Sequence, residues 1–183
     1  ENAKQALMGC YGYMSADNAY GQAWQEVTFG YCGFGWSQTN GSSTDLLVSM
    51  DGGIDETINT MAWRGMYKVI GETNAFIANI ADSPLESADK LPMEAAARFL
   101  RALAYYNLAV TYGDVPLKTT PSAHDGVAVP RSPKNEVFEL VRTDWEFAYE
   151  NLPEKDDDGF ATKWAAKAYL GKLYHTLGCQ GDN

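Results

Sequence analysis

The residues best suited to hold a ligand are concentrated in one stretch, YCGFGWSQTNGSSTD, residues 31–45. Sugars offer apolar C–H faces that stack on aromatic rings and hydroxyls that bond to amides and carboxylates. Tyr31, Phe34 and Trp36 supply rings, and Gln38, Asn40 and Asp45 supply polar partners close by. Each exposed ring contributes about 0.5–1.5 kcal/mol, so one such site binds weakly, and with the polar contacts added a Kd near or below about 1 mM is expected for a short glycan. Repeated contacts along a polymer raise capture by avidity. The same aromatics have a plainer use, which is to pin an irregular loop onto neighbouring helices.

Other chemistry finds less support. His124 and His175 stand in no metal spacing and beside no nucleophile motif. EKDDDGF alternates Glu154, Asp156 and Asp158 before Gly159 like half a calcium loop, but the twelfth loop position is Ala165, so the bidentate glutamate is missing. A solvated turn fits better. GYCGFGW has neither the order nor the Lys-Ser or Lys-Thr ending of a phosphate cradle. No catalytic residues, metal site or cofactor are expected, although paired carboxylates of a hydrolase need only spatial proximity, which leaves a cryptic hydrolase as an outside reading.

Arg98 and Arg101 lie three apart in ARFLRALAYYNLAVTYGDVPL, where a charged grip on a ligand is one reading and scaffold the stronger one, the pair either meeting neighbouring carboxylates or shielding apolar surface with their stems. Asn74 and Asn107 interrupt apolar stripes. A buried amide without partners costs about 1–3 kcal/mol, so each is expected to bond a neighbouring backbone and fix helix packing.

The elements that must position these groups are helical. Ala3, Ala6, Leu7, Cys10, Tyr11 and Met14 give residues 2–14 a helical stripe. Residues 15–54 are rich in Gly, Ser, Thr and Asn, interleaved with Trp24, Phe29 and the three rings above, and read as one long irregular segment. A second helix spans 56–81 on Trp63, Met66, Tyr67, Ile70, Asn74, Ile77 and Ala81. A third follows Leu91, with Pro92 in its first turn and a stripe of Ala96, Phe99, Leu100, Leu103, Asn107 and Val110; Gly113 suits a left-handed C-cap and Pro116 prevents resumption. A fourth starts at Ser132 as N-cap and Pro133 as first residue, carries Val137, Leu140, Val141, Ala148 and Leu152, and ends before Pro153. A fifth runs from Thr162 through Ala166, Tyr169, Leu170, Leu173 and Leu177 to Gly178. No strand is evident, so the fold class is all-α. Leu170, Gly171, Tyr174 and Gly178, with Ala148 and Pro153 before them, match tetratricopeptide spacing, the glycines admitting a close partner helix. The chain then stops where that partner would begin, which suggests a single domain cut from a longer protein.

Composition limits the partners. The 183 residues are 45% apolar and 13% aromatic, enough for a real core. Lys and Arg number 14 against 24 Asp and Glu, a net charge of -10, which disfavours nucleic acid and anionic lipid headgroups. No apolar run is long enough to cross a bilayer, and no secretory signal precedes residue 10, so the chain reads as cytoplasmic or as a trimmed mature form. LMGC, residues 7–10, looks like a lipoprotein cleavage box, yet without a preceding apolar region Cys10 reads as a small buried helix residue. Cys10, Cys32 and Cys179 are too scattered for a disulfide framework or a metal pair.

Four blocks in order, WRGMYKVIGETNAFIANI, RFLRALAYYNLAVTYGDVPL, PRSPKNEVFELVRTDWEFAYENLP and ATKWAAKAYLGKLY, resemble the N-terminal, tetratricopeptide-containing part of the SusD/RagB family across residues 60–177. Trp63, Tyr67, Ile70 and Asn74 match that family's W-x-x-x-Y-x-x-I-x-x-x-N helix. One departure is Ala96, where a glutamate is usual, which puts an ion pair in question. The resemblance implies a non-enzymatic, lipid-anchored protein of the bacterial outer-membrane surface that captures nutrients, mostly glycans, as a lid on a SusC-like TonB-dependent transporter. It also implies that the loop before the Trp63 helix carries ligand contacts, without assigning single positions. A tetratricopeptide adaptor that binds a peptide through groove residues such as Tyr105 or Arg101 is the rival reading.

Overall fold

A computed structural model describes residues 2–30, 32, 49–50, 57–121, 129–156 and 159–180. Helices α1 (Asn2–Ser15), α2 (Ala23–Gly30), α3 (Thr57–Ala81), α4 (Ser87–Tyr112), α5 (Lys134–Asn151) and α6 (Lys163–Gln180) carry nearly all of its regular structure. The chain is all-α in class, as its periodicity predicts. It divides into two compact units, Tyr11–Lys68 and a second made of Glu1–Cys10 with Val69–Asn183.

In the smaller unit, the segment read as irregular from residue 15 is helical in part. A π-type turn at Asp17–Gly21, closed by the Gly21 N–H on the Ala16 carbonyl at 3.0 Å, is followed by α2. The reason is visible in hindsight: Ala23, Trp24, Val27 and Gly30 make a short helical stripe, and all four are buried. Trp24 therefore serves as a core pin. Gly65 is required here, because a Cβ on it would stand 1.8 Å from the Asn18 carbonyl oxygen. Only a bare backbone lets α3 lie against this turn.

In the larger unit α4 packs against α5 and α5 against α6, the helix-pair arrangement expected of a tetratricopeptide-like fold. From Ala95 to Ala109 every residue of α4 except Arg98 is buried. A stripe was expected, but the helix is apolar nearly all round and central. Val110 lies outside it and is exposed. Small side chains at Ala95, Ala97, Ala102 and Ala104 let neighbours approach, and Trp145, Tyr105 and Phe138 fill the spaces between. Along α3 the buried stripe keeps Met66, Ile70 and Asn74 but continues through Phe76 and Ile80, leaving Ala81 exposed.

Several boundaries differ from the sequence reading. Helix α4 begins at Ser87, before Pro92, whose missing N–H leaves the Ala88 carbonyl unserved at an exposed turn where water can reach it. Gly113 does end α4 at positive φ, but its φ/ψ of 73° and -125° lie in a region essentially reserved for glycine rather than in the left-handed helical one. Ser132 is not the N-cap of α5. It pairs with Val115 in a two-residue antiparallel bridge, Pro116 facing Arg131, the short ladder that the sequence did not suggest. The first α5 N–H, of Lys134, is instead taken by Asp114 Oδ1 at 2.9 Å. So the Gly-Asp-Val-Pro after α4 both stops one helix and caps the next. Helix α6 runs past Gly178 to Gln180, and a Cβ at Gly171 or Gly178 would meet nothing within 4 Å, so neither glycine serves a close approach among the described residues.

Candidate functional site

Tyr31, Phe34, Trp36, Gln38, Asn40 and Asp45, the six residues expected to bind a glycan, lie outside the described residues. Their segment is bounded by α2, which ends at Gly30, and α3, which starts at Thr57. Beside it the N–H and thiol of Cys32 both approach the Phe29 carbonyl, at 3.3 and 2.8 Å, and the Phe29 ring is 60% exposed. Of the two flanking aromatics read from the sequence, Trp24 is core and Phe29 faces solvent. Phe29, read from the sequence only as part of the irregular segment, is thus an exposed ring two residues before Tyr31 in the chain.

The arginines and asparagine are placed firmly, and they build a buried polar hub. Arg101 Nε and Nη2 donate to Asp144 Oδ2 and Oδ1, each at 2.8 Å, and Nη1 donates to Asn74 Oδ1 at 2.9 Å. Asn74 Nδ2 then donates to the carbonyls of Lys118 and Thr120 at 2.9 and 3.3 Å. Tyr105 closes the circuit, its hydroxyl donating to the Lys118 carbonyl at 2.8 Å and accepting the Lys118 N–H at 2.6 Å. Three helices and the segment that follows the Val115–Pro116 strand are thereby locked at one point, with each charge paired and each amide satisfied. Asp144 is fully buried, and no signal in RTDWEF marks it except an acid beside a tryptophan in an apolar stretch. Arg98 pairs with Glu94 at 2.6 Å and reaches Asp144 at 3.6 Å, so the arginine keeps carboxylate partners although position 96 is alanine. Ala96 instead lines a small cavity of about 180 Å³ with Leu7, Pro92 and Phe160.

These positions decide against the adaptor as it was framed. Tyr105 and Arg101 are buried and engaged with the protein itself, so neither can line a peptide groove. His124 and Asp158 lie outside the described residues. Within EKDDDGF, Asp156 Oδ1 accepts the Phe160 N–H at 3.0 Å and Glu154 pairs with Lys163, contacts that organise a turn. Among the described residues no three potential metal donors gather. Cys10 is buried on α1, and desolvation with the Glu72 charge nearby pushes its thiol up to about 11. No described helix is long and apolar enough to cross a membrane.

A family model described as starch-binding and associating with the outer membrane matches residues 10–175. The chain is 33% identical over 125 residues to a SusD-like protein of Bacteroides ovatus, a match covering 66% of this chain and 23% of that one. A solved SusD superfamily structure from Bacteroides thetaiotaomicron superposes with a TM-score of 0.84 at 24% identity, over 99% of this chain and 43% of that one. A structure solved with a xylogluco-oligosaccharide superposes at 0.84 with 26% identity, over 95% and 34%. This chain thus spans less than half the length of each of these proteins.

Proposed function

The chain belongs to the SusD-like family, and from that premise we propose that it forms the helical part of a surface protein that captures glycans without transforming them. The observation that carries this reading is the family match across residues 10–175, whose description is one of binding at the outer membrane. It is supported by the relative solved with a xylogluco-oligosaccharide, and by a hub whose charged groups are spent on one another rather than on a substrate. Tyr31, Phe34 and Trp36 stack on sugar faces in this proposal, and Gln38, Asn40 and Asp45 orient the hydroxyls. The protein delivers its ligand to a SusC-like TonB-dependent transporter, held at the surface by a lipid anchor in the full-length precursor.

Native affinity electrophoresis against neutral and acidic polysaccharides tests the proposal, with wild type run beside Trp36→Ala. Retardation by at least one glycan, reduced in the variant, is the expected result. Chromatography of that glycan after prolonged incubation should return it unchanged. Absence of retardation across the panel would count against capture by this chain, and released product would overturn the non-catalytic reading.

A further inference from the structure

We draw no further inference here: the strongest candidate, the cleft of about 320 Å³ lined by Asn2, Ala6 and Cys10 of α1 and by Glu72 and Asn79 of α3 beside the buried Ser83 hydroxyl, carries none because nothing in the structure shows what covers it.

Discussion

Asp144 is a carboxylate with no exposure whose two oxygens are both bonded by the Arg101 guanidinium at 2.8 Å, with Arg98 farther off at 3.6 Å, so Arg101 depends on it most. Asp144→Ala leaves the Arg101 charge buried and should cost about 3–5 kcal/mol, read as a lower midpoint in urea unfolding. The double change Arg101→Met with Asp144→Leu should cost less than the single one, because it removes the charge as well as its partner. A second residue-scale effect depends on pH. The Cys10 thiol holds its proton to about 11 in the folded chain against about 9.0 when unfolded. Below the lower value both states are neutral there; between the two the unfolded chain loses a proton that the folded chain keeps. That stability, about 2–3 kcal/mol for two pK units, is present below pH 9 and is lost as pH rises toward 11. Unfolding at pH 8 and pH 10.5 should show a larger alkaline loss for wild type than for Cys10→Ala, while an equal loss would contradict the assignment. The scaffold role of Arg98 and Arg101 and the clamping role of Asn74 were legible because a charge or amide inside an apolar stripe must find partners. Which partner was not legible: Asp144 stands 43 residues from Arg101, a pairing that only the fold brings about.

At the scale of the elements, the connection after α4 carries more than a chain reversal. Gly113→Ala forces a side chain into a backbone region nearly closed to it, although space around it is open, so the cost of about 1–3 kcal/mol is pure conformational strain. Asp114→Ala removes the acceptor of the first α5 N–H and should cost about 0.5–2 kcal/mol, as an N-cap loss does. Thermal unfolding of the two variants should show the glycine change at least as damaging as the acid change. Gly65→Ala differs in kind, since its Cβ would strike backbone at Asn18 that cannot swing aside. It should cost about 1–3 kcal/mol or more and disturb the turn before α2, which exchange of amide protons at residues 17–21 would report. The long helices were readable because their apolar periods exceed four turns. Helix α2 was missed because its stripe is only eight residues long and sits among turn-forming residues. The start of α4 was misplaced because proline within an exposed turn loses a single hydrogen bond, which the other bonds of a 26-residue helix outweigh.

For the whole molecule, order of the blocks told more than any single motif. Four helices in the same succession carry the family, and the tetratricopeptide-like pairing of α4, α5 and α6 agrees with solved relatives at a TM-score of 0.84. Site residues were less legible, because stacking on a sugar needs only exposed rings and nearby polar groups, with no fixed spacing to recognise. A net charge of -10 on these 183 residues disfavours polyanions, so the proposed glycan capture should favour neutral over strongly acidic glycans. The measurement that bears most directly on the central claim is isothermal titration of the oligosaccharide derived from whichever glycan retards the protein. Wild type, Trp36→Ala and Trp164→Ala would be compared, the last being an exposed ring on α6 away from residues 31–45 in sequence. A Kd near or below about 1 mM, weakened several-fold by Trp36→Ala and untouched by Trp164→Ala, is the predicted outcome. Equal binding by Trp36→Ala, or binding that depends on Trp164 instead, would contradict it.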